Sequence, residues 1–193
     1  HIHLGRYNNS APQLLNDLTQ LKAACLAQNI NINIAVAAEA RLDVELMPLV
    51  LTNKLPFIGK KNGFNYLLLE LPHSHVPQGY DKFISWLAKQ NIKVVIPHPE
   101  RNRDIQSNLF YIEKLTQLGC EFQLTASSIE GLWGEKAQYI SEHMLKADLV
   151  SYIASDAHSV KRRPPILSKA KKRVTDMLGE SKAHTLTEVL FNG

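Results

Sequence analysis

Short apolar runs alternate along this chain with longer amphipathic stretches, and runs such as Leu67-Leu68-Leu69 and Val94-Val95-Ile96 leave no polar side to face water. Strands of that kind are buried on both faces, as happens where helices cover a parallel sheet. The expected order begins with a helix capped by Ser10, tolerant of Pro12 in its first turn, with apolar positions Leu14, Leu15, Leu18, Leu21 and Cys25. A strand over 31–38, a short helical stretch over 42–52, a polar turn at 59–65 and a strand over 66–71 follow. Proline and glycine make 71–79 a loop. Helices are expected at 80–90, 105–118, 136–146, 166–178 and 185–191, with strands at 93–96, 121–125 and 149–154.

Acidic and imidazole side chains sit at the ends of these runs. Glu39 follows Ile34-Ala35-Val36-Ala37-Ala38, His98 follows Val94-Val95-Ile96-Pro97, and Asp156 with His158 follows Tyr152-Ile153-Ala154-Ser155. Glu70 interrupts a run of leucines. Parallel strands bring their carboxyl ends to one face, so these side chains converge there. An open sheet concentrates its ligands at one switch point, whereas a barrel gathers them from many strand ends. Candidates at four strand ends favour the barrel.

Carboxylates and imidazoles without thiolates are the donors of a hydrolytic metal centre. Asp156 and His158, two residues apart, project to the same side of an extended chain. A carboxylate at the position of Glu39 needs a metal or a basic partner if it is buried. Arg101 and Arg163 offer guanidinium forks matched to phosphate oxygens. His73 and His75, between prolines in the 71–79 loop, either touch substrate or face solvent, and His143 and His184 have no assigned role.

Other classes are disfavoured. Neither Cys25 nor Cys120 has an arginine six residues downstream, which excludes a thiolate phosphatase loop and makes both thiols core candidates in a reduced, cytoplasmic chain. No apolar run approaches the roughly 18 residues of a membrane span. The formal charge is +4, partly from Lys161-Arg162-Arg163 and from Lys169, Lys171, Lys172 and Arg173. These residues form either a solvated helix face or a lure for an anionic partner.

Taken in order, His1-x-x-x-Gly5, Ala38-Glu39, Leu69-Glu70-Leu71-Pro72, Ile96-x-His98-x-Glu100-Arg101 and Ser155-Asp156-x-His158 followed by Arg163-Pro164-Pro165 resemble the PHP (polymerase and histidinol phosphatase) superfamily. The Glu-Leu-Pro, His-x-Glu-Arg and Arg-Pro-Pro elements are most similar to its capsule and exopolysaccharide protein-tyrosine phosphatases. The resemblance implies a single α/β domain, a distorted (β/α)7 TIM-like barrel, whose first strand, carrying Asp-x-His-x-His, is expected before residue 1. It implies up to three divalent metal ions, most often Mn, with Fe or Zn as alternatives. Glu39 would bridge two metals, Glu70 and His98 would complete one position, Asp156 would ligate another, and His1 with His158 would belong to a third. Arg101 and Arg163 would hold the phosphate; apart from the resemblance, the loop residue His75 is the expected further substrate contact. The implied reaction is attack by metal-activated hydroxide on phosphotyrosine, without a covalent enzyme intermediate. The expected partner is a tyrosine kinase of polysaccharide assembly, with no nucleic acid, no membrane insertion and an open question of oligomer formation. The alternatives are a small-molecule phosphomonoesterase of the histidinol phosphatase kind and a non-catalytic domain that binds phosphorylated tails.

Overall fold

The structure, a computed structural model, describes residues 1–3 and 5–188. The chain begins with β1 (Ile2–His3) and β2 (Tyr7–Asn8), then α1 (Ala11–Ala27), β3 (Glu39–Arg41) and α2 (Leu46–Leu51). A hairpin of β4 (Gly59–Lys61) and β5 (Phe64–Glu70) leads to α3 (Tyr80–Lys89), β6 (Ile92–Pro97), α4 (Arg103–Ser107) and α5 (Phe110–Gln117). β7 (Glu121–Thr125), α6 (Ala126–Ile129), α7 (Glu135–Lys146), β8 (Tyr152–Ala154), α8 (Ser168–Leu178) and α9 (Glu180–Thr187) complete it. The order across the sheet is β2-β1-β3-β5-β6-β7-β8, with every neighbour from β1 to β8 parallel and β4 added antiparallel to β5.

Alternation along the strands builds two cores. Leu67, Leu69, Val94, Ile96, Phe122, Leu124 and Ile153 point outward and pack under the helices in one continuous cluster that also takes in Ile2 and Leu186. Their neighbours Tyr66, Val95 and Tyr152 point to the opposite face and form a separate cluster with Leu68 and Phe64. A sheet buried on both faces is the consequence of strands with no polar side. On the inner face Tyr152 donates its hydroxyl hydrogen to Glu121. Burial, then that bond, holds its phenol above the ordinary range.

No strand pairing joins β8 back to β1 or β2 among the described residues, yet residues flanking the two ends of the sheet come together. His1, beside β1, and His158, just past β8, meet with their Nε2 atoms 3.3 Å apart. The α/β fold of parallel strands covered by helices is as expected, and among the described residues its two ends meet through these side chains and not through a closing ladder.

Several local expectations need correction. Residues 31–38 form no strand, and Glu39 opens β3 instead of following it. In the β3–β5 register, Glu39 faces Leu68, so residues 35–37 would pair with 64–66. That edge of β5 is already taken by Gly59, Lys60 and Lys61 of β4. The polar turn expected at 59–65 is therefore a hairpin, turned by Asn62 and Gly63 with φ of 52° and 84°, the two positive values that a type I′ turn requires. The single helix expected over 105–118 is two, because the side chain of Asn108 accepts from the Phe110 N–H at 3.0 Å and interrupts the helical ladder. Ser10 caps α1 as anticipated, accepting from the Gln13 N–H. However, α1 has no buried residue, and Cys25 is only half-buried where a core position was expected. The last helix begins at Glu180, not at 185, and Phe191 lies outside the described residues. No helix among the described residues is long and apolar enough to cross a membrane.

Candidate metal centre

The inner face of the sheet carries the site at its carboxyl end. In the parallel register Glu39 lies beside Leu68 and Arg41 beside Glu70, so Glu39, Arg41 and Glu70 share that face. His98 follows β6, where the chain turns into the left-handed region with φ of 37° while its N–H donates to Gln123 O at 2.7 Å. Asp156, two residues past β8, has φ of 52°. Non-glycine residues held there are strained, and such strain concentrates at functional sites.

Glu39, Glu70 and His98 each aim one donor atom at a common point, all within 4.8 Å of one another. His98 Nε2 is 2.8 Å from Glu39 Oε1 and 3.9 Å from Glu70 Oε1. Two carboxylate oxygens and an imidazole nitrogen, with no sulfur, suit manganese, iron or zinc, so the residues present fit a divalent metal. His1 Nδ1 lies 3.8 Å from Glu39 Oε2, which links the trio through His1 to His158. His158 Nδ1 in turn lies 2.9 Å from Asp156 O. Burial by itself would raise the Glu39 carboxyl, but the hydrogen bond with His98 and the charges of His98 and Arg101 outweigh it and hold Glu39 below the usual carboxylate range.

Asp156 is gripped from both sides. Arg101 Nη1 donates to its Oδ2 at 2.7 Å, and Arg163 Nη2 donates to the same oxygen. The side chains of Arg101 and Asp156 are 5% and 8% exposed, so this is a buried pair. Both guanidiniums also stack on Trp133, with Cζ 4.5 Å and 5.6 Å from the ring centroid. The indole is fixed by its Nε1–H, which donates to Ser127 Oγ at 2.9 Å. The two arginines are thus held side by side on an aromatic plank.

Behind them, Glu100 points away from the site into the core and is fully buried. Its Oε1 accepts from the Thr125 N–H at 3.1 Å, tying the 3-10 turn Pro99–Arg101 to the end of β7. Burial raises its pKa despite the proximity of Ser128 and the charge of His98. Asn102 accepts from the Ile105 N–H and donates to Pro72 O and His75 O, which pins the 71–79 loop to the same turn.

These side chains line one cavity of about 300 Å³ that gathers His1, Glu39, Glu70, His98, Asp156, His158, Arg101 and Arg163. Of the two loop histidines it is His73, not His75, that reaches the cavity; its ring lies 5.8 Å from that of His98. His75 sits outside with Nδ1 2.8 Å from Ser74 Oγ, because the loop bends back onto Asn102 at this point. His143 and His184 are exposed on helices. Sequence reasoning missed Arg41, whose Nη1 is 3.8 Å from Glu70 Oε2, and Trp133. The period-two spacing from Glu39 was a usable signal for Arg41. For Trp133 the only one was a tryptophan beside a glycine in a short loop.

Carboxylates and imidazoles converging at strand ends against a stacked arginine pair define a metal-dependent hydrolase of the PHP type. The chain belongs to the CpsB/CapC family of capsular polysaccharide synthesis proteins, whose family model matches residues 1–189. It is 28% identical over 188 residues to the tyrosine-protein phosphatase YwqE of Bacillus subtilis (strain 168), covering 97% of this chain and 73% of that protein. It is 31% identical over 167 residues to the putative tyrosine-protein phosphatase CapC of Staphylococcus aureus, covering 86% of this chain and 64% of that one. The fold superimposes with a TM-score of 0.86 at 27% identity on a chain from the crystal structures of YwqE from Bacillus subtilis and CpsB from Streptococcus pneumoniae, described as metal-dependent tyrosine phosphatases. That match covers 95% of this chain and 73% of the other.

Proposed function

We propose that this protein removes phosphate from phosphotyrosine on a tyrosine kinase of capsule or exopolysaccharide assembly, in the cytoplasm, as a single domain with manganese as its metal. The observation that carries the reading is the convergence of Glu39, Glu70 and His98 donors within 4.8 Å, in one cavity with Arg101 and Arg163. Glu39, Glu70 and His98 would hold one metal, with Asp156, His1 and His158 available to further ions. A divalent metal bound there lowers the pKa of water toward neutrality and offsets charge on phosphoryl oxygens.

The chain's own residues supply the rest. Arg101 and Arg163 present guanidinium donors to the phosphoryl oxygens, and Asp156 with Trp133 keeps the two forks side by side. Tyrosine leaves as a phenolate of pKa near 10, far below that of an alkyl alcohol, so the reaction needs no strong general acid. Neither cysteine takes part, and Cys120 is buried.

Release of inorganic phosphate from a phosphotyrosine peptide with manganese present tests the reading. Release is expected with the wild-type chain and is lost on chelation and in His98→Ala. Undiminished release under both conditions contradicts it.

A further inference from the structure

A second cavity, of about 360 Å³, adjoins the first and shares Trp133 and Arg163 as its wall. Its other lining residues divide by chemistry. Leu132, 75% exposed, and Ile166, 47% exposed, supply an apolar floor, while Arg162 and Lys169 supply positive charge against one carboxylate, Glu130. Neither Arg162 nor Lys169 is ion-paired among the described residues. Both belong to the basic run that the metal chemistry leaves unused.

We infer that this cavity binds the polypeptide flanking the phosphotyrosine, and that it selects acidic residues next to apolar ones. The inference rests on the phosphotyrosine reading above and extends it to substrate sequence. Three observations carry it. The cavity shares Arg163 and Trp133 with the site that gathers the two arginines, so a chain whose phosphate meets Arg163 has a neighbouring hollow for its next side chains. The volume lies at the lower end of ligand pockets, enough for a short peptide stretch and not for a folded domain. Net positive charge beside exposed leucine, isoleucine and tryptophan matches acidic and apolar side chains together.

The test measures kcat/KM with manganese for three substrates: a phosphotyrosine peptide flanked by Glu and Leu, one of equal length flanked by Lys and Ser, and phenyl phosphate. The wild-type chain is expected to prefer the acidic peptide roughly tenfold. Arg162→Glu with Lys169→Glu is expected to abolish or reverse that preference while leaving phenyl phosphate turnover unchanged, since both residues are exposed and outside the first cavity. Equal rates on the two peptides, or a preference that survives in the double variant, overturn this inference and leave the phosphatase reading standing. Hydrolysis of none of the three substrates overturns both.

Discussion

His1 and His158 are 157 residues apart in the chain and 3.3 Å apart in space, Nε2 to Nε2. They close a chain of contacts that runs from Asp156 through His158 and His1 to Glu39 and His98. Residues joined in this way do not act independently. The double variant His158→Ala with Glu39→Gln is expected to lose less phosphotyrosine turnover than the product of the two single losses. A double-mutant cycle in kcat/KM measures this, and strict multiplication of the losses counts against a shared centre.

Trp133 positions both arginines through its ring face. Trp133→Ala is expected to lower kcat/KM on phosphotyrosine substrates roughly tenfold, and Trp133→Phe to retain most activity, because a phenyl ring keeps the stacking surface. The indole is 41% exposed, so the unfolding midpoint of either variant should stay close to wild type. A phenylalanine variant as impaired as the alanine variant would show that the ring face is not what matters.

Glu100 is structural although it sits between His98 and Arg101 in a chemistry-bearing motif. Glu100→Ala leaves the Thr125 N–H without its partner and opens space in the core, at a cost of about 3 kcal/mol in urea unfolding. Glu100→Gln keeps the accepting oxygen without a charge to desolvate and is expected to cost far less. Equal destabilisation by the two substitutions would deny that a neutral oxygen suffices at this position.

The two thiols differ in environment. Burial pushes the Cys120 thiol up to about 12, whereas Cys25 is half-buried on α1. Under native conditions one thiol per chain, Cys25, is expected to react with an aromatic disulfide reagent, and the second only on unfolding. The unfolded chain releases the Cys120 proton near its ordinary value of about 8.5, while the folded chain retains it. The unfolded state therefore binds fewer protons across this interval, and stability falls as pH rises from there toward about 12. Cys120→Ala should flatten that slope in pH-dependent urea unfolding, with the remaining slope owed to groups such as Tyr152.

The parallel sheet, most helix positions and the residues that converge on one cavity were legible because they depend on local apolar runs and on strand direction. The 31–38 segment was not, since its fate is decided by competition for one edge of β5, a contact between β4 and β5 that no periodicity in 31–38 encodes. The Asn62-Gly63 pair is itself a hairpin signal, more specific than the polar character of 59–65. That Asp156 would be held by Arg101 and Arg163 depends on the turn after β6 meeting the β8–α8 loop that carries the other two, which spacing alone does not disclose. The choice of His73 over His75 turns on hydrogen bonds from Asn102, a residue of another element.

If Glu39, Glu70 and His98 hold a divalent metal as proposed, manganese titration followed by calorimetry reads that binding at the site itself. The wild-type chain is expected to bind manganese at this site, and Glu39→Gln and His98→Ala to weaken that binding by about 100-fold or more. Binding of equal strength and stoichiometry in wild type and both variants would show that these side chains are not the ligands.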